Sequence, residues 1–252
     1  MQHGTGEKPL LCFHGFGENA DSFKALSHQL ADTYTIIAID LPLHGKTVWN
    51  EGKICTTEDV IKIIDNIPVL HKQHFSLAGY SMGGRVALSV YEQIPHRIQQ
   101  LILLAPDGLK MNFWYWLATQ TTWGNLLFKY FMKKPGTFFT ATKALKRTGM
   151  INTGIYNYVH QYLNQEDKRM QLYTIWTTMR KLRPAAKNIK ALIQKNNTHL
   201  LLIYGRYDRV IRHTTGSHFK KGMERFCTLH ILPCGHRILH EKNTAAIAAL
   251  LQ

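Results

Sequence analysis

The chain has 252 residues, 45% hydrophobic and 19% charged, which excludes a disordered protein and leaves room for one α/β core with an insertion. No apolar run reaches the length of a membrane helix, and no secretory leader pattern opens the chain. Its formal net charge of +15 points to anionic partners rather than to any particular fold. The four cysteines, Cys12, Cys55, Cys227 and Cys234, do not suggest a disulfide framework in a domain this large. Reduced thiols and a cytoplasmic location are therefore expected. Fourteen histidines invite a search for metal, but no H-E-x-x-H pattern occurs and no metal site is expected.

Pro9-Leu10-Leu11-Cys12-Phe13 reads as a first core strand and runs into His14-Gly15-Phe16-Gly17, an H-G-x-G loop. A helix over 21–30 follows, with Asn19 or Asp21 as its cap. Thr35-Ile36-Ile37-Ala38-Ile39-Asp40 forms a second core strand, and 57–70 reads as an amphipathic helix. Phe75-Ser76-Leu77-Ala78 is a short buried strand, and 84–91 a helix. Between them lies Gly79-Tyr80-Ser81-Met82-Gly83, a G-x-S-x-G pattern on a strand-to-helix turn. Such a turn strains the backbone of its serine, admits only glycine at the flanking positions and pushes the hydroxyl out at the carboxyl edge of a sheet. The next core strand, 101–106, ends beside Asp107, and strand patterning resumes only at Leu200. A gap that long is too much for a loop and implies helices. Strands over 200–205 and 227–232 close the series, followed by Pro233-Cys234-Gly235-His236 and a final helix over 241–251.

With its elbow and its H-G-x-G loop, the chain resembles the α/β-hydrolase family over nearly its whole length. The resemblance implies an α/β fold: a mostly parallel sheet with helices on both faces and a helical lid inserted after the strand ending at Pro106. The expected division is a core over 1–108, a lid over 109–195 and the rest of the core over 196–252. It implies a triad of Ser81 as nucleophile, His236 as base and Asp208 as acid. Asp208 fits the G-x-x-D pattern that begins at Gly205, and Asp107 is the alternative acid. His240 is the alternative base, but it lies where the last helix begins. The oxyanion hole is expected from the backbone N–H groups of Phe16 and Met82, the competing reading of the H-G-x-G being an ordinary glycine turn. His14 is expected to brace that loop. Residues 40–47 resemble the family's D-x-P-G-H-G-x-S loop with Leu43 in place of a glycine, and Asp40 and His44 are expected to be structural. A strand hairpin usually precedes this region. Only Met1 to Lys8 stand there, so the sheet is expected to lack one or two edge strands, or the chain to have been shortened.

What the resemblance implies chemically is a serine hydrolase of carboxylic esters or related acyl compounds that needs no cofactor. The string from Gly79 to Arg85 is similar to the succinyl-hydroxycyclohexadiene carboxylate synthases of menaquinone biosynthesis, in which the triad drives an elimination. That similarity makes Tyr80 and Arg85 candidate contacts for an anionic substrate, with a surface salt link as the other reading of Arg85. The meta-cleavage carbon–carbon hydrolases share the same set. A non-catalytic binding protein on this fold is the alternative of another class, and the complete set of reactive residues weighs against it. Residues 110–195 carry fifteen Lys or Arg against Glu166 and Asp167 alone, together with a crowd of aromatics that includes Trp114, Trp116, Trp123 and Phe128. An anionic or lipid-like acyl substrate, or weak contact with an anionic membrane surface through the basic lid, is expected from this. The other reading is a solvated basic face over an aromatic core. No nucleic-acid module is recognisable, and no nucleic-acid partner is expected.

Overall fold

Runs of Leu, Ile, Val and Phe separated by turn residues set the centre of the chain. In the computed structural model, which describes residues 1–71, 73–151 and 153–251, these runs form one seven-stranded sheet. The strands are β1 (Gln2–His3), β2 (Lys8–Phe13), β3 (Tyr34–Ile39), β4 (Phe75–Tyr80), β5 (Ile98–Leu104), β6 (His199–Gly205) and β7 (Cys227–Leu232). Their spatial order is β1-β3-β2-β4-β5-β6-β7. All neighbours are parallel except β1, which pairs antiparallel with β3. Parallel strands covered on both faces are apolar throughout rather than alternating, and all six residues of β4 are buried.

Register decides where function can sit. Phe13 lies opposite Ile39 and Gly79, Tyr80 opposite Leu104, and Gly205 opposite Leu232. The central strands therefore end at one level, and the residues that follow them emerge along one edge of the sheet. In open α/β sheets this carboxyl edge is where ligands bind.

Two units are distinguishable. The first comprises Met1–Asn50, Thr56–Lys110 and Leu182–Gln252 and contains the whole sheet. Its helices are α1 (Lys24–Leu30), α2 (Thr57–Asp65), α3 (Met82–Gln93), α9 (Ala186–Asn196), α10 (His213–Lys220) and α11 (Glu241–Ala248), with α1 against α11 and α3 against both α2 and α9. The second unit comprises Met111–Lys181 with Glu51–Cys55 and contains α4 (Phe113–Gln120), α5 (Thr122–Lys133), α6 (Pro135–Arg147), α7 (Thr153–Tyr162) and α8 (Glu166–Thr178). The short 51–55 piece is held there by Cys55 N–H donating to the Thr178 carbonyl at 2.8 Å. Inside this unit Trp176 packs on Tyr115 and Phe128, and the buried Arg169 guanidinium donates to the carbonyls of Met132, Leu163 and Asn164. Among the described residues no helix is long and apolar enough to cross a membrane.

Several elements differ from the sequence reading for local reasons. The helix expected over 21–30 opens as a 3-10 turn, Ala20–Phe23, which the Asn19 side chain caps by accepting from Asp21 N–H at 3.0 Å. The helix expected over 57–70 starts in a Thr56/Asp59 capping box but stops at Asp65. Pro68 lacks an N–H and disfavours helix in the residue before it, so Pro68–Leu70 is a separate turn. The segment expected as 109–195 is divided at 181, since α9 buries Ile189 and Ile193 within the first unit. At the N-terminus, where one or two edge strands were expected to be lacking, the short β1 supplies one antiparallel edge strand.

Candidate active site

The elbow is built by close backbone approach. A Cβ on Gly79 would meet the Gly83 carbonyl oxygen, and one on Gly83 would meet the Phe13 carbonyl oxygen at the end of β2. A Cβ on Gly84 would come within 2.5 Å of Pro106 Cβ. Only glycine permits this contact between β4, α3 and the loops after β2 and β5. Ser81, at the head of α3, takes φ 50° and ψ −116°, a conformation that side chains rarely adopt. Flanking backbone holds it: Ser81 N–H donates to the Leu104 carbonyl at 3.0 Å, and Asp107 N–H donates to the Ser81 carbonyl at 2.8 Å.

Ser81 Oγ lies 3.0 Å from His236 Nε2, and His236 Nδ1 lies 2.7 Å from Asp208 Oδ2. Residues far apart in sequence thus form one continuous line of hydrogen bonds. Asp208 is buried, and its Oδ1 accepts from the N–H groups of Val210 (2.8 Å) and Ile211 (2.9 Å). Since a carboxylate only accepts, His236 Nδ1 is the donor to Oδ2, and in the neutral ring Nε2 carries the lone pair that faces the serine. The loop bearing His236 comes close to β6 because Gly205 has no Cβ to strike the Gly235 carbonyl oxygen. Tyr80 OH donates to the His236 carbonyl at 3.0 Å and so ties the residue before the serine to the histidine's own backbone.

The remaining candidates separate. Asp107 is turned to Arg85, whose Nη1 is 3.6 Å from its Oδ2, and its Oδ1 accepts from Gly108 N–H. Arg85 and Tyr80 are both buried, with Arg85 engaged by Asp107 and the Tyr80 hydroxyl by His236. His240 caps α11, its Nδ1 accepting from Lys242 N–H at 3.3 Å. His14 is fully buried, donates from Nδ1 to the Gly15 carbonyl and accepts at Nε2 from Leu41 N–H, bridging the loops after β2 and β3. Burial pushes its pKa down to about 4, which keeps the ring neutral. Asp40 accepts from Ala20 N–H and Lys46 N–H and fastens the same two loops. Leu43 stands at φ 66°, the left-handed backbone that the glycine it replaces would adopt readily. Met82 is the first residue of α3, in the turn whose N–H groups have no partner within the helix. Phe16 follows Gly15 in the other loop, its ring against His44 at 6.1 Å.

Sequence reasoning did not anticipate a cavity of about 210 Å³ bordered by Glu18, Ser22, Tyr80, Arg237, Leu239 and His240. Nor did it anticipate the Tyr80 link, which joins residues 156 positions apart with no pattern to announce it.

A family model described as Serine aminopeptidase, S33 matches residues 6–243. The chain belongs to this family of α/β hydrolases. Among curated relatives the hydrolase is 26% identical over 240 residues to the uncharacterized hydrolase YugF of Bacillus subtilis, covering 94% of this chain and 86% of that one. Several further relatives are spanned over only 28–46% of their own length. A thermophilic esterase from Thermogutta terrifontis superposes with TM-score 0.69 at 19% identity, covering 100% of the hydrolase and 91% of the esterase. A meta-cleavage product hydrolase from Pseudomonas fluorescens gives 0.64 at 17%, again over 100% and 91%. At these identities the two structures bear on the fold of the hydrolase alone.

Proposed function

We propose that the protein is a serine hydrolase of carboxylic esters or related acyl compounds, with Ser81, His236 and Asp208 as its triad. The observation that supports this reading is the unbroken line Ser81 Oγ–His236 Nε2–Asp208 Oδ2, at 3.0 and 2.7 Å, beside a strained serine. His236 Nε2 takes the Ser81 proton as Oγ attacks the acyl carbon, and the carbonyl electron pair moves onto oxygen. The N–H groups of Met82 and Phe16 receive that oxyanion, each such donor being worth roughly 3 kcal/mol. Nε2 then gives its proton to the leaving alkoxide, which leaves an acyl-serine. Water, deprotonated in turn by Nε2, attacks the acyl carbon, and the acid departs as Ser81 regains its proton. Asp208 stabilises the imidazolium formed in each half. The helical insertion between β5 and β6 serves in this reading as the lid that sets substrate preference. Hydrolysis of short p-nitrophenyl esters, and a fluorophosphonate mass adduct on Ser81, test the proposal. Turnover and labelling that survive Ser81→Ala would sink it.

A further inference from the structure

The second unit carries an apolar stripe that is open to solvent. Along α5, Trp123, Leu126, Leu127 and Tyr130 are 87%, 61%, 49% and 49% exposed, at the i, i+3, i+4, i+7 spacing of a single helix face. The opposite face supplies the buried residues Gly124 and Met132. A row of large side chains left in water marks a contact surface rather than a core. Its surroundings are basic: Lys129, Lys133 and Lys134 are exposed on or just beyond α5, and no Asp or Glu occurs anywhere from 108 to 165.

We propose that this face of α5 docks on an anionic lipid surface, with Trp123, Leu126, Leu127 and Tyr130 entering the headgroup boundary and the lysines meeting lipid phosphates. Charge and residue type select this occupant. A second copy of the chain would bring the same lysines against one another, because the run from 108 to 165 has no acid to offer them. Trp and Tyr at the two ends of the stripe place amphipathic rings at the depth where headgroup and acyl chain meet. Lysines at its rim keep their charge in the headgroup layer while their stems lie along the apolar part. The inference concerns a surface and is independent of the chemistry at Ser81.

The test uses the full chain with phosphatidylglycerol-containing vesicles and with pure phosphatidylcholine vesicles. Binding is read by co-sedimentation and by brominated-lipid quenching of tryptophan. Partition should favour the anionic vesicles by roughly tenfold or more and weaken steeply with salt. Replacing the stripe by Ser (Trp123→Ser, Leu126→Ser, Leu127→Ser, Tyr130→Ser) should abolish it, with circular dichroism and melting temperature unchanged. The independent pair Lys133→Glu and Lys134→Glu should lower it about tenfold or more while leaving the stripe intact. Equal partition onto neutral vesicles, undiminished binding by either variant, or no vesicle binding at all overturns the proposal. A parent that dimerises through the stripe without binding vesicles overturns it in favour of a second copy.

Discussion

Replacing Asp208 by Asn isolates the electrostatic and tautomeric contribution of the acid at constant shape. Oδ1 must still accept from Val210 and Ile211 N–H, so the new amide nitrogen occupies the position of Oδ2, 2.7 Å from His236 Nδ1. Two donors cannot share that separation. The imidazole moves its proton to Nε2, where it faces Ser81 Oγ and can no longer accept the serine proton. The triad best studied in this respect loses about 10⁴ in kcat on this change, equivalent to about 5 kcal/mol of transition-state stabilisation. Steady-state hydrolysis of p-nitrophenyl acetate measures it, with Asp107→Asn as the control. Asp107 faces Arg85 at 3.6 Å, so its loss should cost on the order of 1–2 kcal/mol of stability and far less turnover. A loss below tenfold for Asp208→Asn, or a larger loss for Asp107→Asn, would refute the reasoning.

Other expectations follow from neighbouring features. His14 stays neutral in the native state down to about pH 4, whereas the unfolded chain protonates it near 6.5. The unfolded state therefore binds the extra proton, and stability should fall by about 2 kcal/mol between pH 7 and pH 5, as read by urea midpoints. His44, also shifted down by burial, acts in the same direction, and His14→Gln should flatten the profile. Gly83→Ala sets a Cβ against the Phe13 carbonyl, with the His14 carbonyl oxygen at 2.6 Å, and should lower stability by about 2–3 kcal/mol. Gly235→Ala meets nothing within 4 Å and should leave the melting temperature nearly unchanged. Tyr80→Phe removes the donor to the His236 carbonyl; kcat should drop several-fold with KM steady, and stability by about 1 kcal/mol.

The strand, turn and helix around Ser81 were legible because their causes are local: an apolar run, glycines that alone fit, and a helix-forming sequence after them. Choosing between Asp208 and Asp107 was harder, since both follow a strand. Sheet order explains why Asp208 and not Asp107 meets His236, because β6 is hydrogen-bonded to β7 whereas β5 stands one strand further from the loop that carries His236. That the second unit ends at 181, within the helical insertion, was not legible for a related reason. The amphipathic pattern of α9 says that it buries Ile189 and Ile193 but not against which partner. The antiparallel β1 is only two residues long, too short for any periodicity to reveal. Tyr80 and Arg85 read as candidate contacts for an anionic substrate from their place beside the serine, and spacing did not encode that packing buries both, with the Tyr80 hydroxyl on the His236 carbonyl and Arg85 beside Asp107.

The backbone of Ser81 sets two selective pressures against each other. A glycine at φ 50°, ψ −116° would relieve strain of order 1–3 kcal/mol, so a search for stability alone would discard the residue that performs the proposed chemistry. Ser81→Gly should therefore melt above the parent, less the entropy glycine adds to the unfolded chain, whereas Ser81→Ala, which keeps a Cβ, should gain little. A lineage released from the need for turnover would be expected to drift first at this position, trading an active protein for a sturdier one.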